Sequence, residues 1–370
     1  MKYYLIAGEA SGDLHGANLM KALKVEDAQA EFRYFGGDKM QAEGGKLVKH
    51  YADMAFMGFT EVLLNLRTIL KNMKACKADV LAYQPDVLVL IDFPGFNLKI
   101  AEFAKQHGIK VCYYISPKVW AWNQKRVLKI KRIVDHMFCI LPFEVAFYKE
   151  WGMKVDYVGN PLLDEISQFV PNVHFKTEHQ LNDQPIIALL PGSRKQEIER
   201  LLPVMLSVVD QFKNYQFVIA AAPTFGADYY QQFMGNKKVA LVFNQTYQLL
   251  QQAHAAVVAS GTATLETALF NVPQVVVYKG GTISIAIARL LVNIRFISLV
   301  NLIVDRKIVT ELIQEDCNPQ KVTEELTQII DGKGRAEMLE GYAHLHQLMG
   351  AAGASERTAR LIMNYIKAYS

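Results

Sequence analysis

The sequence predicts an α/β protein with two doubly wound parallel sheets, and three features support that prediction. The chain has 370 residues, more than the ~250–300 at which a single core usually divides into two domains. Short continuous apolar runs alternate with helical patterns along nearly the whole chain. Between 166 and 184 the pattern turns polar and loses its periodicity, so an earlier series of strands and helices is separated from a later one.

The apolar runs place the strands in order along the two domains. In the first domain we expect strands at 3–7, 32–36, 86–91, 110–115, 137–141 and 155–158. In the second we expect strands at 186–190, 216–221, 239–242, 255–258 and 275–278, and helices from 318 onward. The predicted segments are an N-terminal domain at 1–165, a linker at 166–184, a second domain at 185–345 and a terminal helix at 346–370.

Composition narrows the class of protein. A formal charge of +4 lacks the clustered basicity of a nucleic-acid binder and suits an acidic substrate or an anionic membrane surface. The four cysteines are far apart and indicate neither a disulfide framework nor a zinc site, which favours a reduced, cytosolic protein. We expect no signal peptide, because the first apolar run is short and soon followed by a charge. The segment 283–304 is interrupted by two arginines, so we expect no transmembrane span.

Three strand-to-helix turns predict an anion site. They occur at 5–16 (LIAGEASGDLHG), 186–199 (IIALLPGSRKQEIE) and 257–274 (VVASGTATLETALFNVPQ). Each puts free backbone N–H groups at the mouth of a parallel sheet, where a diphosphate can bind. Glu266, one turn into the third helix, would face the hydroxyls of a ligand. The pattern is typical of a nucleotide-sugar site.

A carboxylate follows the most apolar strand of the first half. Asp92 comes directly after DVLVLI, and ligands of open α/β sheets sit outside the carboxyl ends of the strands. Asp92 is therefore a candidate general base, the alternative being an aspartate that caps the next helix. The nearby segment SPKVWAWNQKR is basic, and its lysines either face solvent or hold an acceptor phosphate.

An apolar stripe precedes several lysines. Its residues fall within roughly 120° of one another on a helix and are Val62, Leu63, Leu66, Ile69 and Leu70. Lys71, Lys74 and Lys77 follow. The stripe either packs on the sheet or forms a basic-edged surface that meets lipid.

Seven motifs together resemble one family. They are GEASGDLHG, IDFPGFN, SPKVWAW, LPFE, LPGSRKQEIERLLP, ASGTATLE and LVNLIVDRKIVTELIQ, in this order across nearly the full length. The chain thereby resembles the lipid-A-disaccharide synthases, inverting glycosyltransferases of lipid A, lipopolysaccharide and lipid metabolism in Gram-negative bacteria. The resemblance implies a GT-B fold, with two Rossmann-like domains facing a cleft and C-terminal helices that cross back. It also implies a reaction in which UDP-2,3-diacylglucosamine and 2,3-diacylglucosamine 1-phosphate (lipid X) give the β-1,6-linked disaccharide 1-phosphate and UDP.

The same resemblance assigns roles to residues. Asp92 would be the catalytic base. Substrate and UDP would be bound by Glu9, Ser11, Gly192, Ser193, Arg194, Ser260, Gly261, Thr262, Glu266 and Asn301. Arg194 is also open to the interpretation of a helix-cap salt bridge, and Asn301 to that of an interior amide satisfied by backbone. No paired carboxylates mark a Mg²⁺ site, so we expect neither a metal nor a cofactor.

Two positions depart from the family pattern. Many members carry a second acid where this chain has Gly95, and its absence removes a rival to Asp92 as base. A histidine is common where Asn160 stands, which leaves the role of GNPLLD open.

The expected partners and location follow from the substrates. We expect the two acylated substrates, no nucleic acid, and a peripheral contact with the cytoplasmic face of the inner membrane. The C-terminal helix is expected to pack on its own first domain or on that of a partner, which would make a homodimer. Two alternatives remain: a nucleotide-sugar epimerase of the same fold, and a non-catalytic, nucleotide-regulated protein at the membrane surface. The apolar stripe argues against the epimerase, whose substrates are soluble, and release of UDP from acylated substrates would exclude the non-catalytic alternative.

Overall fold

The computed structural model describes residues 1–54, 65–281 and 295–368. The chain divides into two compact units, one formed by Met1–Ser167 with Ala351–Ser370 and the other by Gln168–Gly350. Each unit has its own parallel sheet covered by helices.

The strands of the first unit form a parallel sheet in the order β3-β2-β1-β4-β5-β6-β7. They are β1 (Lys2–Ala7), β2 (Glu31–Gly36), β3 (Lys46–His50), β4 (Val87–Ile91), β5 (Lys110–Tyr114), β6 (His136–Cys139) and β7 (Asp156–Tyr157). This is the doubly wound Rossmann order, whose direction reverses between β1 and β4. All residues of β4 are fully buried, because helices cover both faces of a parallel sheet.

The helices of the first unit connect these strands. They span Ala10–Glu26, Asp38–Ala42, Leu66–Tyr83, Pro94–Gln106, Val119–Trp122, Val127–Ile133, Phe143–Glu150, Pro161–Ser167 and Ala354–Lys367, with 3₁₀ turns at Tyr51–Asp53 and Gln124–Arg126. The first helix begins at Ala10, soon after β1 ends at Ala7. Gly12 lets the first turn lie close to the strand end, since a Cβ there would be only 3.3 Å from that of Ala7.

The last helix, Ala354–Lys367, belongs to the first unit of its own chain. Its apolar face, including Ile362 and Ile366, joins the core cluster beneath β1 and β4. The Asp164 carboxylate accepts hydrogen bonds from the backbone N–H groups of Gly353 (2.6 Å) and Ala354 (3.1 Å) at the helix start. A carboxylate at a helix N-terminus is favourable because it satisfies free donors and complements the helix dipole. The GNPLLD motif therefore anchors the C-terminal helix.

Asn160 of the same motif has a structural role. Its side-chain amide donates to the carbonyl of Ile140 (3.2 Å), and its oxygen accepts from the N–H of Leu162 (3.0 Å). The side chain is buried and joins the end of β6 to the helix that carries Asp164.

The second unit repeats the arrangement. Its parallel strands lie in the order β10-β9-β8-β11-β12-β13 and are β8 (Ile186–Leu190), β9 (Gln216–Ala221), β10 (Val239–Phe243), β11 (Ala253–Ala259), β12 (Gln274–Tyr278) and β13 (Thr310–Ile313). Its helices span Phe175–Glu178, Lys195–Ser207, Ala227–Met234, Thr246–Gln252, Thr262–Leu269, Leu299–Val304, Pro319–Ile330 and Gly332–Met349, with 3₁₀ turns at Val209–Gln211 and Gln314–Asp316. Phe175, inside the predicted linker, is buried in the core of this unit.

Candidate active site

The loops after β1 and β4 meet at the point where the strand order of the first sheet reverses. The pairing of Ala7 with Ile91 places Gly8 beside Asp92 at the carboxyl edge. A Cβ on Gly8 would lie 2.3 Å from the ring of Phe93, so only glycine lets that ring pack against the β1 loop. The GEASGD and DFPGFN motifs, distant in sequence, are therefore in direct contact.

The backbone at Asp92 has an unusual conformation. Asp92 (φ 45°) and Phe93 (φ 49°) both lie in the left-handed region, which costs about 1–3 kcal/mol for each non-glycine residue. Two side chains hold this turn through the Asp92 carbonyl, which accepts from Tyr113 Oη (2.6 Å) and Asn97 Nδ2 (2.8 Å). Such strain persists where the surroundings fix it, and it is common at active sites.

The electrostatic environment of Asp92 suits a base. Burial is the main influence and raises the pKa of the carboxyl above its usual range. The Lys118 ammonium lowers this pKa, and the Glu9 carboxylate raises it. A carboxylate is a better proton acceptor when its pKa is raised towards the working pH. The arrangement can therefore remove a proton from a hydroxyl group held beside Asp92.

Glu9 and Ser11 lie at the start of the first helix. Glu9 is its N-cap residue and is partly exposed, while Ser11 is exposed in the first turn. Asp13 of the same motif is a structural residue that the sequence did not single out. Its buried carboxylate accepts from the N–H groups of Gly37 (2.7 Å) and Met40 (3.1 Å), and so holds the start of the helix Asp38–Ala42.

In the second unit, the LPGSR loop follows β8 at the corresponding switch point. Gly192 adopts φ 98°, and a Cβ there would lie 2.4 Å from a carboxylate oxygen of Glu197. Ser193 is exposed. Arg194 is the N-cap residue of the helix Lys195–Ser207, where its guanidinium contacts Glu197 at 3.4 Å yet remains 72% exposed. The arginine thus forms the predicted cap contact and still presents its charge to solvent.

The ASGT loop follows the neighbouring strand, β11. Ser260 donates a hydrogen bond to the carbonyl of Ile297 (3.3 Å), while Gly261 and Thr262 are exposed at the start of the helix Thr262–Leu269. Glu266 is partly buried on that helix and accepts from Tyr247 Oη at 3.2 Å. Since β8 and β11 are adjacent, both loops lie at one edge of the second sheet.

Asn301 is fully buried, and its amide group is engaged within the protein. Its nitrogen donates to the Val309 carbonyl and to Glu311 Oε1 (both 2.9 Å), and its oxygen accepts from the N–H of Ile308 (2.7 Å). Glu311, which the sequence did not single out, also accepts from the N–H groups of Ile297 and Ser298. This pair fixes the segment that contacts Ser260.

Part of the apolar stripe lies within the described residues. Leu66 (48% exposed) and Leu70 (53% exposed) present apolar surface at the start of the helix Leu66–Tyr83, and Ile69 is partly buried. Lys71 and Lys74 are exposed beside them. Val62 and Leu63 lie outside the described residues.

Among residues 1–54, 65–281 and 295–368, no three side chains of His, Cys, Asp or Glu come together as metal ligands. No helix in the same ranges is long and apolar enough to cross a membrane.

Comparison with known proteins identifies the family. A family model described as Lipid-A-disaccharide synthetase matches residues 3–361. Lipid-A-disaccharide synthases of Syntrophus aciditrophicus and Myxococcus xanthus are 40% and 38% identical, each alignment covering 98% of this chain and 97% of the relative. The chain belongs to the lipid-A-disaccharide synthase family. It is therefore an enzyme of lipid A biosynthesis and a glycosyltransferase, as the seven motifs predicted.

Solved structures confirm the fold class. A UDP-GlcNAc 2-epimerase from Neisseria meningitidis, bound to UDP-GlcNAc, has a TM-score of 0.66 and 13% identity, with 100% of both chains covered. The glycosyltransferase of kitacinnamycin has a TM-score of 0.65 and 12% identity, with 98% of both chains covered. At such identities the likeness concerns the fold alone. The predicted pair of Rossmann-like sheets of the GT-B type is confirmed.

Proposed function

We propose that this member of the lipid-A-disaccharide synthase family transfers 2,3-diacylglucosamine from UDP to the 6-hydroxyl of 2,3-diacylglucosamine 1-phosphate. The transfer inverts the anomeric carbon and gives the β-1,6-linked disaccharide 1-phosphate and UDP. Family membership over nearly the full chain is the observation that carries this proposal.

Asp92 is the proposed catalytic base. Its carboxylate takes the proton of the acceptor 6-hydroxyl as the new C–O bond forms, and the bond to UDP breaks with its electron pair leaving on the diphosphate. An ordinary aspartate titrates near 3.9 and is a weak base at neutral pH. The burial that raises the pKa of Asp92 supports this role, and the neighbouring Glu9 and Ser11 are proposed to contact substrate.

The proposed diphosphate site is in the second unit. Arg194 supplies positive charge to the leaving group, and the backbone N–H groups beside Ser193 and Thr262 add donors. Gly192 and Gly261 let the backbone approach the phosphates, because neither has a side chain. Ser260 lies in the same turn, and Glu266 is proposed to accept hydrogen bonds from the ribose hydroxyls. We propose that this charge and these donors act without a metal ion or a cofactor.

The proposed role of Asn301 is indirect. Its amide is fully occupied with backbone groups and Glu311, so it supports the segment at Ile297 and Ser298 instead of contacting the ligand. That segment in turn accepts the hydrogen bond of Ser260.

The acylated substrates require a lipid surface. Leu66 and Leu70 are exposed beside Lys71 and Lys74, an arrangement that suits the headgroup boundary of an anionic membrane. We propose that the enzyme attaches peripherally to the cytoplasmic face of the inner membrane through this surface.

An activity assay tests the proposed function. Purified protein is incubated with UDP-2,3-diacylglucosamine and 2,3-diacylglucosamine 1-phosphate, and the products are identified by mass spectrometry. Equimolar disaccharide 1-phosphate and UDP are expected. Epimerisation of a UDP-sugar with no consumption of the acceptor would contradict the proposal and favour the epimerase alternative.

A further inference from the structure

The loop after β5 contains a second strained turn. Ile115 follows the strand with φ 68°, a conformation that is particularly unfavourable for a β-branched residue. Ile115 also donates its backbone N–H to the Phe138 carbonyl of β6 (3.1 Å). Beyond it lie Ser116 and Trp120, both buried, with the exposed Lys118 between them. The conformation of this loop therefore determines where the Lys118 ammonium stands.

A buried carboxylate holds this loop from the neighbouring strand end. Glu144, at the start of the helix Phe143–Glu150, is 1% exposed. One of its oxygens accepts from Ser116 Oγ and from Trp120 Nε1 (3.2 Å), and the other accepts from the backbone N–H of Leu141 (3.0 Å). The indole and the backbone amide can only donate, so both carboxylate oxygens must be acceptors.

Within the part of the chain that the structure describes, no cation is among the main influences on the pKa of Glu144. Burial raises this pKa to about 7, although the hydrogen bonds from Ser116, Leu141 and Trp120 oppose the shift. The titratable groups that it influences are Cys139, Tyr148 and Tyr157. The pKa of each is raised by burial, so all three are neutral near pH 7. Burying an ionisable carboxyl group without a cation beside it costs free energy, which indicates that Glu144 has a functional role.

We propose that Glu144 is a positioning residue that ties the Ser116–Trp120 loop to the end of β6 and thereby holds Lys118 at its place beside Asp92. The inference rests on the proposed role of Asp92 as base. The Asp92 N–H donates to the carbonyl of Tyr114 at the end of β5 (3.0 Å), so the loop that follows this strand begins next to Asp92. Lys118 lowers the pKa of Asp92, whereas burial and Glu9 raise it. The conformation of the loop thus determines how far Lys118 lowers the pKa of Asp92. The hydrogen bonds to Glu144 hold the loop in that conformation.

The substitution Glu144→Gln disturbs this arrangement with little change in volume. Its NH₂ group must face either the Trp120 N–H or the Leu141 N–H, so a donor meets a donor. The loop then loosens, Lys118 withdraws and the pKa of Asp92 rises. The acid limb of the kcat/KM profile should move to higher pH. Lys118→Ala should produce the same shift, and the double variant should shift no further, since both changes remove one interaction.

A milder variant and a binding measurement distinguish a positioning role of Glu144 from a purely structural one. Trp120→Phe removes one donor and keeps the aromatic packing, and it should move the acid limb in the same direction by a smaller amount. A melt and the affinity for UDP should change little in this variant. If Glu144→Gln and Trp120→Phe lower turnover with an unmoved acid limb, Glu144 only supports the fold and the proposal is overturned.

The base itself is checked separately. If Asp92→Asn keeps near-normal turnover, the assignment of Asp92 fails. The Glu144 proposal would then be overturned as well, because it describes how that base is tuned. If Asp92→Asn loses turnover while the acid limb of Glu144→Gln stays in place, only the positioning role fails.

Discussion

Leu66 and Leu70 should contribute directly to membrane attachment. Burying a whole leucine side chain stabilises by about 1.5–3 kcal/mol, and these two are 48% and 53% exposed. Each should therefore contribute about 1 kcal/mol at a lipid interface. Replacing both by serine should weaken vesicle binding by about 2 kcal/mol, or about 30-fold. Lys71 and Lys74 should add about 1 kcal/mol each at an anionic surface, a part that is lost at high salt.

Flotation with anionic vesicles measures this binding, and Leu81 offers a matched control. Leu81 is 40% exposed on the same helix and lies about 16 Å beyond Leu70 along the helix axis. Leu81→Ser should leave flotation unchanged. Circular-dichroism melts should show that both variants are folded, since the inward-facing Met73 and Cys76 are untouched. A Leu66→Ser/Leu70→Ser enzyme that floats like the parent, or a control that is released equally, would show that these two leucines do not anchor the enzyme to the membrane.

Three further predictions concern charge, packing and stability. Arg194→Ala should lower turnover by on the order of 10²-fold and weaken UDP binding, whereas Arg200→Ala on the same helix should do neither. EDTA should leave activity unchanged, and activity that is lost in EDTA and restored by Mg²⁺ would contradict a metal-free mechanism. Gly8→Ala should push the Phe93 ring aside, lower the melting temperature and cost about 1–3 kcal/mol, and an unchanged melt would contradict the contact. Glu144 has its folded pKa raised from 4.5 to about 7, so the folded state binds the extra proton and stability falls as pH rises between these values. Relative to Glu144→Gln, the parent should lose on the order of 3 kcal/mol across that range, and a pH-independent difference in chemical denaturation would contradict it.

The apolar strands could be predicted because a strand buried on both faces is a continuous run of apolar and β-branched residues. The strand β4 is a continuous β-branched and leucine run, and the sequence located it within one residue. The edge strand β3 has the sequence KLVKH and only partial burial, so it lacks that signal. The strand β13 reads TELI, and its Glu311 pairs with groups that only the fold brings near.

The position of Asp92 could likewise be predicted, since a carboxylate after a buried strand needs only local information. What holds Asp92 could not. The Tyr113 hydroxyl reaches it from the next strand, and the Phe93 ring fits only because position 8 is glycine. The motif LPFE was visible in the sequence, yet nothing local distinguishes a buried Glu144 from an exposed helix-start glutamate.

The proposed reaction depends on removal of the acceptor proton by Asp92, and Asp92→Asn tests this step. Asp86, at the opposite end of the same strand, accepts only from the Lys2 N–H among its described hydrogen bonds, and Asp86→Asn is the matched control. In the disaccharide assay, Asp92→Asn should reduce kcat by about 10²–10⁴-fold, with UDP-sugar affinity little changed. Asp86→Asn should turn over like the parent. Near-normal kcat in Asp92→Asn would show that Asp92 is not the base.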